Sequence, residues 1–276
     1  MPPATTPLSV PPLLVLRGVG KTFPNGTLAL SGLDLDVRAG EFMSLLGPSG
    51  CGKSTALRII AGLSEPSRGS VEWPVQGPTR DPVQGADQDM HPDKASRIGF
   101  VFQEPTLMPW SSVSRNVSLP LMLKGLAADK AAARVASAVD RVGLTKFARA
   151  FPRELSGGMR MRVSIARALV TEPQLLLMDE PFAALDEITR FKLNNDLLQL
   201  WQATGTTVVF VTHSVFESVY LSNRVVVMTA RPGRVFTVLR IDAPYPRDQN
   251  FRTSPEYAAF CRRASEALAQ VMAGNP

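Results

Sequence analysis

Residues 47–55 read GPSGCGKST and match the pattern G-x-x-x-x-G-K-[S/T] at every fixed position. Such a loop offers successive backbone N–H groups to an anion, and its glycines let the backbone curl around phosphates. The apolar segment before it, EFMSLL (41–46), predicts a buried strand, and STALRIIAGL (54–63) predicts a helix from its apolar spacing. Strand, glycine-rich loop and helix together predict the start of an α/β nucleotide-binding fold.

The residues of this loop have distinct predicted roles in holding a nucleotide. Lys53 can reach the β- and γ-phosphates, and the hydroxyl of Ser54 can ligate Mg²⁺. The predicted nucleotide-binding residues of the loop are Gly47, Pro48, Ser49, Gly50, Cys51, Gly52, Lys53, Ser54 and Thr55. These residues alone allow either ATP or GTP as the nucleotide.

The composition is that of an ordinary globular chain and argues against a membrane-spanning protein and a structural zinc protein. The 276 residues are 45% hydrophobic, and no apolar run approaches the roughly 20 residues of a membrane span. Two separated cysteines, Cys51 and Cys261, indicate a reducing compartment, and with only two histidines they argue against a structural zinc site. The net charge of +6 comes from dispersed Lys and Arg residues, which predicts a solvated basic surface and no nucleic-acid partner.

Short apolar runs on both sides of a helix-rich stretch predict the order of the elements. Residues 1–12, MPPATTPLSVPP, have no apolar signal-peptide core and predict a disordered tail on a cytoplasmic protein. Residues 73–96 predict a long surface loop. The predicted strands are 13–19, 33–38, 97–103, 173–181, 206–214, 223–230 and the edge strand 234–241, and predicted helices are 187–204 and 255–272.

Polar side chains follow three of these predicted strands. The carboxyl ends of parallel strands form the ligand-binding edge of an open α/β sheet. Asp179, at the end of LLLMDE (175–180), is therefore predicted to hold hydrated Mg²⁺, and Glu180 to orient or deprotonate the attacking water. His213 could hydrogen-bond the γ-phosphate, and the amide of Gln103 could contact both Mg²⁺ and water.

A second glycine pair lies in LSGGMRMR (155–162), just before a predicted helix. Ser156, Gly157 and Gly158 would offer bare backbone N–H groups to an anion at the start of that helix. Unlike the first loop, this segment contains no lysine. Residues alone do not explain why one chain would carry two anion-binding segments.

Taken together, in this order and spacing, these motifs resemble the ATP-binding subunits of ABC transporters over residues 13–240. The resemblance implies an α/β fold: a P-loop NTPase (RecA-like) core with an antiparallel β subdomain and an α-helical insertion. It places the core at 13–103 and 167–240, the helical subdomain at 104–166 and a C-terminal extension at 241–276. ATP and Mg²⁺ are the implied cofactors.

The same resemblance explains the second glycine pair. In that family two copies of the chain stack head to tail around the nucleotides. Ser156, Gly157 and Gly158 of one copy would then bind the γ-phosphate that Lys53 of the other copy holds. A second copy of the chain is therefore an implied partner, and the closing of the dimer would depend on ATP.

Other roles carry over position by position. Phe23, in VGKTFPNG (19–26), matches the aromatic residue that stacks on adenine. Gln103 matches the Q-loop glutamine, Glu180 the catalytic base, His213 the switch histidine, and Asp186 the D-loop aspartate. The departures are Ala183, where a serine hydroxyl is usual, Met161, where many relatives carry Gln, and Ser214, where Asp is common.

Longer segments resemble one importer branch, which serves nitrate, sulfonate, taurine and pyrimidine-precursor uptake. They are FQEPTLMPW (102–110), EPFAALDEITR (180–190) and THSVFESVYLSNRVVVMTARPGR (212–234). This implies a subunit that hydrolyses ATP to energise import of a small anionic solute, peripheral on the inner face of the membrane. Integral-membrane permease subunits would be direct partners and a solute-binding protein an indirect one.

Alternatives remain open from the sequence. Met108, Pro109 and Trp110 would dock the permease, or they could form a folded-in core patch. The solute could be a pyrimidine precursor or another small organic molecule. The chain could also be a soluble ABC ATPase of DNA repair or translation, or a nucleotide-binding interaction module without catalysis. A kinase or GTPase would leave LSGGM unexplained.

Overall fold

The computed structural model describes residues 12–74 and 97–274 of the chain. Residues 1–11 of the predicted tail and most of the predicted 73–96 loop lie outside these residues, and Pro12, predicted as the end of the tail, belongs to the first strand. The strands are β1 (Pro12–Thr22), β2 (Leu28–Arg38), β3 (Phe42–Leu46), β4 (Arg68–Glu72), β5 (Ile98–Val101), β6 (Leu175–Asp179), β7 (Thr207–Thr212), β8 (Arg224–Met228) and β9 (Val235–Arg240). The α-helices are α1 (Lys53–Ile60), α2 (Val113–Leu123), α3 (Ala128–Arg141), α4 (Gly157–Leu169), α5 (Glu187–Thr204), α6 (Val215–Leu221), α7 (Gln249–Arg252) and α8 (Pro255–Met272).

The strands form two sheets. The larger sheet has six strands in the order β5-β6-β7-β3-β8-β9, all parallel except the edge strand β9. The smaller sheet is antiparallel, in the order β2-β1-β4. The predicted mixed α/β class, the antiparallel β subdomain and the edge strand are thereby confirmed.

The larger sheet is buried on both faces, which explains its continuous apolar strands. Alternate residues of β3 enter different cores: Phe42 packs with the helices, and Met43 packs with the small sheet and α1. In β3 and β7 every residue is buried. The parallel strands end together at one edge of this buried sheet, where the loops that follow them meet.

Three features were not predicted from the sequence. Strand β4 has the polar sequence RGSVE and is mostly exposed, so it lacks the apolar alternation that predicts a strand. Helix α6 has only seven residues, too few to show a helical period. Strand β2 begins at Leu28, five residues before the predicted start.

The helix-rich insertion contains α2, α3 and most of α4. The proposed boundary between 166 and 167 stays a prediction, and it falls within α4, which ends at Leu169. The C-terminal segment, defined here as residues 241–274, is not a separate unit, because α8 packs on α6 and buries Tyr257 and Ala264 in the main core. Within the described ranges, no helix has both the length and the apolar character to cross a bilayer.

Candidate nucleotide site

The glycine-rich loop connects β3 to α1 and requires glycine at its last turn. Gly52 is the N-cap of α1 with a φ of 95°, a left-handed conformation that side chains disfavour. A Cβ atom at this position would also lie 2.8 Å from the carbonyl oxygen of Ala29 and 2.7 Å from Leu30 Cδ2. The start of β2 therefore supports the loop from outside, while the N-terminus of α1 favours an anion at the loop.

Lys53 is the first residue of α1, and its side chain folds back into the glycine-rich loop that precedes the helix. Its side chain is 3% exposed, and Nζ donates to the carbonyl oxygens of Gly47 at 2.8 Å and Pro48 at 3.0 Å. Nζ also lies 3.8 Å from Glu180 Oε1. The positive charge is thus held at the loop and beside the proposed base.

Two of the predicted Mg²⁺ ligands, Ser54 and Asp179, are in direct contact. The Ser54 hydroxyl donates to Asp179 Oδ1 at 2.7 Å. Burial raises the pKa of Asp179, the charge of Glu180 raises it further, and the bond from Ser54 opposes both. A divalent cation at this carboxylate would offset that unfavourable burial.

The donor set fits Mg²⁺, which prefers oxygen ligands and usually takes one or two carboxylates together with substrate phosphates. Asp179 and Ser54 supply a carboxylate and a hydroxyl at one point. The described ranges contain no group of three or more His, Cys, Asp or Glu side chains that could hold a metal. An ion here would complete its coordination with oxygen atoms from outside this pair, such as nucleotide phosphates and the predicted ligand Gln103.

Glu180 and His213 meet because β6 and β7 are parallel neighbours, with Asp179 opposite Val211. Glu180 has a φ of 45°, which is uncommon for a side-chain-bearing residue, and its N–H donates to the Val211 carbonyl oxygen at 3.0 Å. This turn directs Oε2 to within 3.1 Å of His213 Nδ1. The structure thus brings the two residues together, while their catalytic roles stay predictions.

The sequence patterns did not predict the buried carboxylate of Glu217, which lies on α6, the helix that begins just after His213. Glu217 Oε2 accepts a 2.5 Å hydrogen bond from the Thr212 hydroxyl, and Glu217 Oε1 lies 3.7 Å from Arg190 Nε. Burial raises the pKa of Glu217, against the opposing effects of Thr212 and Arg190. The signal available in the sequence was a single acid inside the otherwise apolar segment VFESVYL (215–221).

Phe23 and Gln103 lie on different elements, both at exposed positions. Phe23 is half exposed in the turn between β1 and β2, the hairpin that also contacts Gly52 through Leu30. Gln103 is exposed just after β5, the neighbour of β6 in the sheet. Both positions are open to a ligand, and neither assigned role is tested by these contacts.

The LSGGM segment begins α4, with Ser156 as its N-cap. The Ser156 hydroxyl accepts a hydrogen bond from the Met159 N–H at 3.3 Å. Gly158 is buried, and a Cβ there would lie 2.7 Å from Thr189 Cγ2, so α4 and α5 pack closely at this point. Asp186 caps the facing end of α5 by accepting from the Thr189 N–H at 2.9 Å.

Within the chain, the two anion-binding segments stay apart. No hydrogen bond of the described residues joins 156–158 to 47–55, and the glycines of 156–158 contact Leu185 and Thr189 instead. Ser156 and Asp186 are exposed. The second segment is therefore open to solvent and is not bonded to the loop around Lys53.

The segment proposed for docking is exposed. Trp110 is 74% exposed, so the alternative interpretation as a folded-in core patch is wrong for this residue. Asn116 holds the preceding turn, accepting from the Met108 N–H at 2.8 Å. Farther along the insertion, α2 and α3 enclose an apolar groove of about 700 Å³ that includes Met122 and Val135.

Known proteins resemble this chain over most of its length. Residues 30–183 match the family model described as ABC transporter. An uncharacterized ABC transporter ATP-binding protein of Methanocaldococcus jannaschii is 48% identical over 247 residues, 88% of this chain and 85% of that protein. An aliphatic sulfonates import ATP-binding protein of Bacillus subtilis is 43% identical over 234 residues, 85% of this chain and 84% of that protein.

A solved structure shares the fold. It is a dimeric ATP-binding cassette in a post-hydrolysis state, bound to ADP and Pi. It matches with a TM-score of 0.68 and 33% sequence identity, over 84% of this chain and 100% of that one. The predicted P-loop NTPase fold is confirmed by this likeness.

Proposed function

The chain belongs to the ABC transporter family, and from this premise we propose that it is the ATP-binding subunit that hydrolyses ATP to drive an importer. The observation that carries the proposal is the position of Glu180. One of its oxygens lies 3.8 Å from Lys53 Nζ and the other 3.1 Å from His213 Nδ1. A carboxylate held between a phosphate-binding lysine and an imidazole is well placed to accept a proton from water attacking a γ-phosphate.

Catalysis in this proposal rests on positioning and electrostatics. The loop N–H groups and Lys53 hold the phosphates and offset their charge. Glu180 orients the attacking water and takes its proton, and His213 fixes the Glu180 carboxylate and contacts the γ-phosphate. Mg²⁺, held by Asp179, Ser54 and Gln103, would supply charge neutralisation across the phosphate oxygens when bound.

The site is completed by a second copy of the chain. The exposed N-terminus of α4, with Ser156, Gly157 and Gly158, would contact the γ-phosphate bound by Lys53 of the other copy. Asp186 would lie at the same junction. A 33% identical cassette solved as a dimer with ADP and Pi supports this arrangement for the present chain.

The membrane partners would be permease subunits that dock on the helical insertion. The exposed Trp110 and the apolar groove between α2 and α3 are suited to a short amphipathic helix from such a subunit. The chain would then work as a peripheral protein on the cytoplasmic face of the membrane. A solute-binding protein would act on it only through the permease.

We propose a small anionic solute of the nitrate, sulfonate or taurine type. The support is the 43% identity to an aliphatic sulfonates import protein. An importer of a pyrimidine precursor or another small organic solute is the second candidate, because the importer branch that the longer segments resemble also serves pyrimidine-precursor uptake.

The decisive test is to co-express the chain with candidate permease subunits and reconstitute the complex in vesicles. Solute-stimulated ATPase activity is the expected result, and the stimulating solute identifies the cargo. The transport role would be contradicted if no permease bound the chain or changed its ATPase activity. Co-purification with nucleic acid instead of an integral-membrane partner would favour a soluble ABC ATPase.

A further inference from the structure

Arg247 is the polar anchor of the C-terminal segment. The side chain is buried, with 4% exposed. Its guanidinium lies over the rings of Tyr245 and Phe251, 4.2 Å and 5.2 Å from their centroids. It donates five hydrogen bonds, all to backbone carbonyl oxygens, those of Val219, Tyr220, Ser222, Ile241 and Ala243.

Three of these five bonds go to carbonyls at the C-terminal end of α6. The last carbonyl groups of a helix have no partner within the helix, and a cation there is favoured by the helix dipole. The Tyr245 hydroxyl satisfies one more, donating to the Leu221 carbonyl oxygen at 2.9 Å. In the described part of the chain no carboxylate lies within 4.0 Å of Arg247, so its contacts to α6 are with the backbone.

The other end of α6 begins directly after His213. Ser214 is the N-cap, and its own N–H donates to the Thr212 hydroxyl at 3.0 Å. That hydroxyl in turn donates to Glu217 on α6. His213 therefore lies between two residues that are both bonded into the first turn of α6.

Helix α6 has seven residues, and a helix so short is not stable by its own hydrogen bonds. Its position depends on the packing of its buried face, which includes Val219, Tyr220 and Leu221, and on the groups that bond its two ends. Besides Arg247 and Tyr245, the C-terminal segment contributes Tyr257, whose hydroxyl donates to the Phe216 carbonyl oxygen at 2.9 Å.

We propose that Arg247 is a positioning residue for hydrolysis: by capping α6 it fixes the helix that holds His213 against Glu180. The inference rests on the proposed function and adds to it a role for the C-terminal segment. Arg247 itself contacts neither the nucleotide loop nor Glu180. It acts through α6, the Thr212–Glu217 bond and His213.

The test compares Arg247→Met with Arg262→Met, a matched control on the exposed face of α8. For Arg247→Met we expect kcat to fall about tenfold while the KM for ATP changes less than about twofold, since a misplacement near 1 Å can cost about a hundredfold in rate. Arg262→Met should match the wild type. Arg247→Lys, which keeps the charge but offers fewer donors, should recover part of kcat.

A second measurement does not depend on activity. The chain has two histidines, His91 and His213, so the NMR spectrum of histidine-labelled protein contains two imidazole signals, which His91→Ala assigns. The His213 signal should shift or broaden in Arg247→Met and stay unchanged in Arg262→Met. If Arg247→Met does not fold, Tyr257→Phe, which removes the hydroxyl that bonds to the Phe216 carbonyl oxygen, should shift the same signal to a smaller extent.

The two proposals fail in different ways. A wild-type chain that does not hydrolyse ATP would contradict the proposed function, whatever the NMR signals show. A lower melting temperature in Arg247→Met or Tyr257→Phe with an unmoved His213 signal would overturn the positioning role, because the contact would then be structural only. A rise in KM equal to the loss in kcat would also overturn it.

Discussion

The two anion-binding segments of this chain differ in how much of a phosphate site each contains. The loop at 47–55 has a buried lysine, the Ser54–Asp179 pair and Glu180 within 4 Å of the lysine. The segment at 156–158 has only the start of a helix, with an exposed serine as its cap. Arg160, one turn along α4, donates to the Leu155 carbonyl oxygen instead of facing outward.

This difference indicates what each segment can do. A helix N-terminus by itself stabilises an anion by only about 0.3–1 kcal/mol when exposed, which would not hold a nucleotide. The first loop can bind a triphosphate within one copy. The second can contribute only to a phosphate that is already bound elsewhere, and this makes it suited to sensing the nucleotide of a second copy.

The largest expected effect separates binding from turnover. Glu180→Gln keeps the size and hydrogen-bonding capacity of the side chain but cannot accept the proton of the attacking water. We expect kcat to fall by about 10² to 10⁴, the usual contribution of a general base, while ATP affinity is retained. Steady-state hydrolysis and equilibrium binding of a fluorescent ATP analogue give the two numbers, and normal turnover would refute the role of Glu180.

The Glu180→Gln variant also tests the difference between the two anion-binding segments, because ATP would persist long enough for the dimer to be observed. We expect the Glu180→Gln protein to elute as a dimer with Mg-ATP and as a monomer with ADP. A monomer under both conditions would indicate that the second segment does not contact the nucleotide of another copy without the membrane partner.

The next effect is on binding by a single copy. Lys53→Met keeps the buried apolar volume and removes the charge, so it should weaken ATP binding about 10- to 100-fold, as expected for loss of a hydrogen bond to a charged group. Calorimetry under conditions where the protein is monomeric measures this loss. Lys192→Met, which removes an exposed charge on α5, is the control and should leave the affinity unchanged.

A third variant changes only the second segment. Asp and Asn cap helices as well as Ser does, so Ser156→Asp and Ser156→Asn should both preserve α4. The Asp carboxylate would repel the phosphate of the other copy. We therefore expect Ser156→Asp in the Glu180→Gln background to bind ATP with unchanged affinity. Its dimerisation should be weaker by about tenfold or more, because a favourable helix-end interaction is lost and repulsion is added.

Ser156→Asn serves as the matched neutral control and should dimerise close to the parent. Equal dimerisation by the Asp and Asn variants, measured by analytical ultracentrifugation with Mg-ATP, would contradict the idea that Ser156 faces a phosphate. Loss of ATP affinity in either variant would mean that the two segments share a site within one copy.

Much of the fold could be predicted because its parallel strands are continuous apolar runs, and the segments between them have the length and position of crossover helices. The helices predicted at 187–204 and 255–272 have those bounds in the structure. The ordering of Asp179, Glu180 and His213 at one sheet edge followed from parallel strands ending together. What the pattern could not give was the direction of single side chains, such as the turn of Glu180 toward His213.

The residues that were missed act through the backbone or inside the core. Arg247 contacts five carbonyl groups from two separate segments, and no spacing in the sequence indicates such contacts. Glu217 pairs with a strand residue and with Arg190 on a different helix. Polar groups of this kind are placed by tertiary packing, so local sequence patterns do not report them.

The smallest expected effect per site concerns the turn that follows β6. Ala183 stands where a serine hydroxyl is usual in the family, and it is partly buried in the turn after β6, with its N–H donating to the Glu180 carbonyl oxygen. In the proposed dimer this turn would face the other copy. Ala183→Ser should therefore add one hydrogen bond per site across the dimer, a gain of about 0.5–1.5 kcal/mol.

Such a gain corresponds to a factor of about two to ten at each of the two sites of the dimer in the Glu180→Gln background, so dimerisation should tighten by about the square of that factor, with ATP affinity of the monomer unchanged. Ala184→Ser, at the exposed neighbouring position, is the control and should have no effect. Because the hydroxyl can act only through a second copy, tighter dimerisation by Ala183→Ser alone would place this turn at the junction. Weaker dimerisation would instead mean that the chain packs this turn against a partner surface that has adapted to alanine.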